Sequence, residues 1–213
     1  MKKIMIIGAH GATAQLVTAR LLNETDDQLV LYLRHAERLA QVATNDRVTL
    51  VDGDVSDVAK LSQAMADVDV VYSNVGGVDL GAQTAHMLTA MQQAGQTRLI
   101  FMSALGAHHE VTGKFGEWNE QAIHDFLPGF RDAAAQLVAA GIDYTEVRPA
   151  WLTDDLAVDY ETTTLADGFK GTEVSRTSVA DFIVKVIKDP SRYQKASIGL
   201  NKPNTSGDKP SWF

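Results

Sequence analysis

The first fourteen residues constrain the fold of this chain most strongly, because an apolar run meets a glycine turn and then a helical pattern. The run Ile-Met-Ile-Ile at residues 4–7 predicts a buried strand. Gly8 permits a sharp exit from that strand, and Gly11 lets the backbone approach a ligand. Ala14 is small, so the following helix can pack closely on the sheet. The stretch therefore predicts a strand, a tight turn and a helix in direct succession.

The start of this helix is also a predicted anion site. The first N–H groups of a helix have no partner within it, and the helix dipole adds positive potential there. With a strand before the glycines and an amphipathic helix after them, a dinucleotide pyrophosphate is the favoured anion. The alternative is a glycine turn that the fold needs for steric reasons only and that binds no ligand. We predict that the turn supplies five cofactor-binding residues, namely Gly8, His10, Gly11, Ala12 and Thr13.

Composition limits the class of protein that this chain represents. The 213 residues carry a formal net charge of −8 with a pI near 5.1, and Lys and Arg form no cluster of the kind that binds nucleic acid. Cysteine is absent, which excludes thiol chemistry, so redox chemistry requires a cofactor. The apolar runs are too short for a signal peptide or a membrane span. We expect a cytoplasmic protein without nucleic-acid or membrane partners.

Apolar strand patterns alternate with helical patterns along the chain. Such strands predict a parallel sheet buried on both faces and joined by right-handed crossovers. We expect a single α/β domain over residues 1–213, a doubly wound (Rossmann) sheet of about six to seven strands, with residues 149–213 completing the substrate side. The later predicted strands are 28–33, 48–51, 68–72, 99–102, 143–147 and 196–200, and the predicted helices include 11–22, 59–66, 130–140 and 178–188.

Several motifs follow one another in a characteristic order: Gly8-x-x-Gly11-x-x-Ala14, Gly53-Asp54-Val55, Ser103-Ala104-x-Gly106-Ala107, and the stretch from Gly141 to Pro149. Residues 175–182 add the pattern of a late helix start. Together they resemble the atypical short-chain dehydrogenase/reductase superfamily, specifically its NmrA-like and flavin-reductase-like NAD(P)-binding members. The resemblance covers nearly the whole chain and implies an NAD(P)-binding oxidoreductase.

Residues after the third and fourth predicted strands are expected near the adenosine and ribose. Asp54 is positioned to accept a hydrogen bond from the adenine amino group, and Val55 to pack on the ring. A helix cap at Asp54 or Ser56 is the alternative. Asn74, Gly76 and Gly77 follow the fourth strand, where glycines leave room for the ribose and pyrophosphate, although a plain turn would use the same residues.

The end of the second predicted strand indicates which cofactor is preferred. An acid at this place binds the ribose 2′-hydroxyl of NAD, whereas an arginine pairs with the 2′-phosphate of NADP. This chain has Arg34 followed by His35 and no acid. Because a guanidinium binds phosphate through a planar fork, we predict NADP(H) over NAD(H), with Arg34 and His35 in the site. A solvated arginine at a strand end is the alternative.

The superfamily's usual catalytic pair, a tyrosine with a lysine four residues later, is absent from this chain. The resemblance places Phe126 where the family has the tyrosine and Phe130 where it has the lysine, and neither phenylalanine can transfer a proton. Ser103, just after the fifth predicted strand, is the one catalytic candidate, as a hydrogen-bond donor to a substrate oxygen. A turn cap is the alternative role for Ser103, and Tyr144 is expected to be a packing residue.

The stretch after Ser103 is predicted as an irregular loop, residues 107–121, that lies over the site and carries Lys114 as a contact. Three histidines lie in or after it: His108, His109 and His124. Loop histidines are usually surface residues, and this spacing does not indicate a metal site. We expect no bound metal.

Two functions from different classes fit these residues. The first is an NADPH-dependent reductase of a flavin, quinone or similar conjugated acceptor, which needs stacking more than a tuned tyrosine. Five aromatic residues are candidates for the mouth of that site, although each can equally cover the sheet: Phe115, Trp118, Phe126, Phe130 and Trp151. The second is a non-catalytic NADP(H) sensor, as the NmrA-like resemblance implies, with a protein partner whose affinity depends on the bound nucleotide.

Overall fold

An eight-stranded sheet runs through the computed structural model, which describes residues 1–213. A separate two-stranded sheet lies beside it. The strands of the main sheet are β1 (Lys3–Ile7), β2 (Gln28–Leu33), β3 (Val48–Asp52), β4 (Val70–Ser73), β5 (Arg98–Met102), β6 (Asp143–Pro149), β8 (Glu161–Thr163) and β10 (Ala196–Asn201), and the small sheet pairs β7 (Trp151–Thr153) with β9 (Glu173–Ser175).

Six α-helices connect and cover the strands. They are α1 (Ala12–Glu24), α2 (Val58–Ala64), α3 (Leu80–Ala94), α4 (Gly113–Ala122), α5 (Leu127–Ala139) and α6 (Arg176–Lys188), and two short 3₁₀ turns span Ala36–Leu39 and Val42–Thr44. None of these helices has the length and apolar character that a membrane crossing requires.

The strand order of the main sheet is β3-β2-β1-β4-β5-β6-β10-β8. All neighbours except β10 and β8 pair in parallel. The predicted doubly wound parallel sheet is therefore confirmed, with seven parallel strands and a short antiparallel strand added at one edge. From β1 the sheet extends to one side through β2 and β3 and to the other side from β4 onward. This change of side opens a crevice beyond the carboxyl ends of β1 and β4.

The core lies on both faces of the sheet, as the continuous apolar strands predict. Ile4 and Ile6 of β1 pack with α1 and α6 in one cluster of 26 buried residues. Met5 and Ile7 point to the other face and pack with α2, α3 and α5 in a cluster of 16. Because side chains alternate along a strand, burial on both sides requires every residue of this run to be apolar.

The stretch predicted as an irregular loop, residues 107–121, is helical in its second half, where α4 begins at Gly113. Phe115 and Asn119 are buried four residues apart, the spacing of one helical face. Gly116 misled the prediction, because it serves a close approach rather than a turn: a Cβ there would collide with the carbonyl oxygen of Val111. Likewise α5 begins at Leu127, earlier than predicted, because Pro128 is tolerated in a first helical turn.

Candidate functional site

The glycine turn after β1 brings the backbone of two elements close together. Gly8 adopts a φ of +73°, a conformation that favours glycine, and a Cβ there would lie 3.0 Å from the carbonyl oxygen of Asn74. Its carbonyl accepts the Gly11 N–H at 3.0 Å, which closes the turn. The tight turn therefore holds the start of α1 against the end of β4.

The N-terminus of α1 is open to a ligand. Gly11 is its N-cap residue and supplies no side-chain cap, and the first turn contains no acidic residue. The N–H groups and the positive end of the helix dipole are thus left for an external anion. This is the arrangement that the sequence predicted for the pyrophosphate.

Asn74 covers Gly11 from the other side of the crevice. The Tyr72 hydroxyl donates a hydrogen bond of 2.7 Å to Asn74 Oδ1, which orients the amide. Asn74 Nδ2 then lies where a Cβ at residue 11 would project. Burial raises the pKa of the Tyr72 phenol, so this donor stays protonated.

A cavity of about 500 Å³ extends from this turn toward the ends of β2 and β3. Of the predicted cofactor residues, Gly8, His10, Gly11, Arg34, Asp54, Val55, Asn74 and Gly76 line it. His35 and Gly77 lie next to it without lining it, and the His35 side chain is exposed. His35 instead makes the turn after β2 with a φ of +57°, and its N–H donates to Asp52.

Two arginines lie at the far end of this cavity. Arg34 is largely exposed, and its guanidinium is 3.6 Å from Asp54 Oδ2. Arg38 also lines the cavity and donates hydrogen bonds to the carbonyl oxygens of Arg34 and His35. The sequence analysis missed Arg38, although its position four residues after Arg34 was a usable signal. Two guanidinium groups therefore lie at this end of the cavity, one of them facing Asp54.

Asp54 is held by the turn that follows β3. Its Oδ1 accepts hydrogen bonds from the N–H and hydroxyl of Ser56, which, together with the charge of Arg34, lower the pKa of the carboxyl. The helix cap that the sequence offered as an alternative at Asp54 or Ser56 comes instead from Asp57, which accepts the Lys60 N–H at 3.0 Å. Asp54 Oδ2 faces the Arg34 guanidinium at the cavity edge.

A second cavity of about 680 Å³ joins the first at residues 74–76, which line both. The predicted residues Ala12 and Thr13 form part of its floor, and Ser103 lies on its wall. Most of its lining is apolar. The two cavities thus form one continuous crevice with a polar half and an apolar half.

Aromatic side chains surround the mouth of this second cavity. Trp118 packs against Trp151 with ring centroids 4.8 Å apart, and Phe213 lies 5.0 Å from Trp118 and 5.3 Å from Trp151. The indole N–H of Trp151 donates to the buried Asn119 side chain at 2.9 Å. Trp212 and Phe213, which the sequence analysis did not single out, also line the cavity and are half exposed.

The positions of the missing catalytic pair face this same cavity. Phe126 and Phe130 both line it, at the start of α5. Arg131, the next residue, turns away and pairs with Glu120 and the carbonyl of Gly106. Of the other residues considered, Tyr144 packs partly buried against the core, and Lys114 is exposed and pairs with Asp208.

Ser103 lies at the end of β5, where its N–H donates to the carbonyl of Val147 at 2.8 Å. Its hydroxyl is buried and makes no regular hydrogen bond. Residues 101 and 103 share one face of the sheet with residue 146, which is paired with Phe101. The Ser103 hydroxyl is therefore directed toward the Glu146 carboxylate on the adjacent strand.

A buried polar ring lies behind Ser103, formed by His108, Glu110, Glu146, Arg148 and Ser197. Arg148 pairs with Glu110 and donates to Ser197 Oγ at 2.7 Å, and Ser197 donates to Glu146 Oε2 at 2.5 Å. His108 Nε2 lies 2.5 Å from the same Glu146 oxygen. Sequence reasoning missed this ring because it treated His108 as a surface residue. The available signal was the pair of oppositely charged residues Glu146 and Arg148, which stand two positions apart at the end of a predicted strand.

Taken together, the crevice fits a dinucleotide. Its glycine turn leaves no room for a Cβ at residue 11, the helix start offers free N–H groups, and the polar cavity ends in two guanidinium groups. Nowhere in the chain do three His, Cys, Asp or Glu side chains converge as ligands for a metal ion.

Comparisons with known proteins agree with this geometry. A family model described as NAD(P)H-binding matches residues 8–190. A short-chain dehydrogenase/reductase from Veillonella parvula DSM 2008, solved in complex with NADP, is 30% identical over 99% of both chains with a TM-score of 0.93. A Rossmann-fold NAD(P)-binding family protein from Shigella flexneri is 36% identical over the whole of both chains, with a TM-score of 0.82.

A curated relative matches only in part. Eugenol synthase 1 of Petunia hybrida is 30% identical over 110 residues, which cover 49% of this chain and 35% of that protein. The family match, by contrast, spans most of the chain and begins at the glycine turn described above. The chain belongs to the NAD(P)H-binding family, within the atypical short-chain dehydrogenase/reductase superfamily that its motifs resemble.

Proposed function

We propose that this protein is an NADP(H)-dependent reductase of a planar, conjugated acceptor such as a flavin or a quinone. The observation that carries the proposal is the aromatic cavity, which continues directly from the dinucleotide crevice. Its walls offer flat apolar surfaces, and the two positions that carry a proton-donating pair in related enzymes are Phe126 and Phe130. An acceptor that delocalises charge over its own ring has the least need of such a pair.

Each half of the crevice has a separate task in this proposal. The glycine turn and the start of α1 hold the pyrophosphate, and Arg34 and Arg38 pair with the 2′-phosphate of NADPH. NADPH, when bound, supplies the hydride. Trp151 and Phe213 bind and orient the acceptor ring and exclude water from its face. Ser103 lies on the wall of the apolar half and is the polar group assigned to the acceptor.

NADPH is proposed as the preferred cofactor because of charge at the adenosine end. Arg34 and Arg38 both line the cavity there, and each can add charge-assisted hydrogen bonds to a phosphate. The solved relative with NADP is consistent with this choice. Asp52, the last residue of β3, accepts the N–H groups of His35 and Ala36 and does not line the cavity.

The experiment that tests the proposal follows NADPH oxidation at 340 nm under nitrogen. FMN, riboflavin and a naphthoquinone form the acceptor panel, and cyclohexanone and glyceraldehyde form the comparison panel. We expect oxidation with at least one planar acceptor above the enzyme-free rate, and none with the simple carbonyl compounds. Gly11→Val is the matched control, since it removes the pyrophosphate cradle while leaving the aromatic cavity intact.

Tight NADPH binding without turnover of any planar acceptor would overturn the reductase and favour a nucleotide sensor instead. Turnover of the simple carbonyls at rates equal to those of the flavins would also contradict it, since the proposal assigns no proton-donating pair to the site.

A further inference from the structure

The buried polar ring defined above closes on the segment that forms one wall of the aromatic cavity. Residues 103–105 line that cavity, and residues 106–110 follow directly. The Glu110 carboxylate accepts the N–H groups of Gly106 and His108, each at 3.0 Å. Because the His108 side chain returns to Glu146, both the backbone and a side chain of this segment are tied to the sheet.

The charge balance of the ring depends on His108. Glu110, Glu146 and Arg148 are almost completely buried, with side-chain exposures of 3%, 1% and 0%. Two carboxylates and one permanent cation leave one negative charge uncompensated, and an unpaired buried charge is strongly unfavourable. His108 Nε2 lies 2.5 Å from Glu146 Oε2, so the imidazole is the side chain placed to compensate that charge.

Other groups around the ring do not compensate that charge. Tyr144, on the same strand as Glu146, is neutral, and burial together with the Glu146 charge raises its pKa further. Arg131 of α5 is paired with Glu120. The Phe169 ring lies over the Arg148 guanidinium, with 5.6 Å between the guanidinium carbon and the ring centroid, and adds no formal charge. Burial alone would raise the pKa of Glu146, but its interaction with His108 and the hydrogen bond from Ser197 lower the pKa overall.

We propose that His108 and Glu146 are positioning residues of the acceptor site, and that the contact between them keeps the wall formed by residues 103–110 closed against the sheet. Without the His108 side chain, Glu146 is left as an uncompensated buried carboxylate. The segment then opens to hydrate it, and Ser103 loses its fixed place.

Hydrogen exchange tests this inference without any substrate. Protection of residues 103–110 is measured by mass spectrometry on the full chain at pH 7, in the wild type and in His108→Gln. We expect protection to be lower in His108→Gln by about tenfold or more, because a buried pair has lost one partner. Equal protection in the two proteins would overturn the proposal.

Matched variants separate charge from structure. His108→Gln should show low protection of this segment, because the Glu146 charge is then uncompensated. The double variant His108→Gln with Glu146→Gln places two neutral amides at these positions, so protection should return. His124→Gln makes the same change at an exposed histidine and should behave as the wild type. Protection in the double variant no better than in His108→Gln would contradict the proposal.

The kinetic part of the inference rests on the proposed reductase. There we expect His108→Gln to raise the acceptor KM while the NADPH Kd stays constant, and we expect the double variant to restore the acceptor KM. A rise in the NADPH Kd equal to that of the acceptor KM would contradict a role confined to the acceptor wall. Absence of turnover would overturn the reductase, whereas the exchange data decide the role of the ring on their own.

Discussion

The side-chain nitrogen of Asn74 lies in the space that a Cβ atom of residue 11 would occupy. Tyr72 holds the other end of that amide, so Asn74 cannot simply rotate away. Gly11 has an ordinary extended backbone, with φ −60° and ψ 145°, and is therefore required for space rather than for conformational freedom. The two residues together bring the start of α1 and the end of β4 into close approach.

Gly11→Val should consequently weaken NADPH binding while the fold survives. We expect the Kd to rise by about tenfold or more, since overpacking costs roughly 1–3 kcal/mol. Calorimetry gives the Kd, and circular dichroism checks the fold. Asn74→Gly removes the side-chain amide that a Cβ at residue 11 would meet. In a protein that already carries Gly11→Ala, this second substitution should weaken NADPH binding much less than it does in the wild type. Unchanged affinity in a folded Gly11→Val protein would show that the glycine turn has a structural role only.

The two arginines of the adenosine end should determine cofactor preference. Arg34→Ala and Arg38→Ala should each raise the Kd for NADPH by about 10- to 100-fold, the scale of hydrogen bonds to a charged group. Binding of NADH, which lacks the 2′-phosphate, is the internal control and should change little. Titration of both cofactors against each variant measures this, and equal affinity of the wild type for the two would contradict the NADP(H) preference.

Restoring the superfamily's catalytic pair should not increase the rate of flavin or quinone reduction. Phe126→Tyr with Phe130→Lys places a phenol and an amine on the cavity wall, yet the proposed acceptor needs no proton relay from those positions. We expect the flavin or quinone rate to stay equal or to fall, as measured by NADPH oxidation. A clear increase would mean that proton transfer limits the wild-type reaction.

Substitutions in the aromatic mouth of the second cavity should weaken binding of the acceptor and leave binding of the cofactor unchanged. Phe213→Ala removes a ring that contacts both Trp118 and Trp151, and Trp212→Ala removes its neighbour. Each should raise the acceptor KM by about three- to tenfold, since an aromatic pair contributes about 0.5–1.5 kcal/mol beyond its buried area. The NADPH Kd should be unaffected. Val138→Ala, at an exposed position on α5 outside both cavities, is the matched control.

Asp181 makes part of the stability of the fold dependent on pH. Its carboxylate accepts the Tyr160 hydroxyl at 2.8 Å and pairs with Arg20 at 2.8 Å and Lys185 at 2.7 Å. Burial alone would raise its pKa, but these partners outweigh burial and lower it below the ordinary value of 3.8. Because the unfolded chain then binds the proton more readily, this stabilisation is complete above pH 3.8 and is lost as the pH falls through the lower folded value.

Asp181→Asn should therefore lower the free energy of unfolding by about 1–3 kcal/mol at pH 7, the range for hydrogen bonds to a charged group. The difference from the wild type should shrink as the pH is lowered below 3.8. Urea unfolding at several pH values measures both effects. Asp26→Asn, at an exposed carboxylate, should leave stability nearly unchanged at every pH. A pH-independent difference would show that the charge of Asp181 is not what stabilises the fold.

The parts of the protein that local rules govern were predictable. The run at residues 4–7, buried on both faces, required a central parallel strand, and the glycines after it required a turn that leads into α1. Arg34 at the end of β2 is likewise a local signal, because a strand end in this fold faces the adenosine. In each case the residue's role follows from its own conformation or from its nearest neighbours in the chain.

The tertiary structure decided which distant residues meet. Periodicity reports that a residue is buried or exposed but not which partner it has, so nothing local indicates that His108 reaches Glu146, 38 residues later, or that Phe213 packs on Trp118. The same holds for the hydrogen bonds of the buried polar ring, which join the segment after β5 to β6 and β10. The sequence by itself determined the sheet and the glycine turn, whereas the aromatic cavity and the ring behind it exist only because folding brings separate segments together.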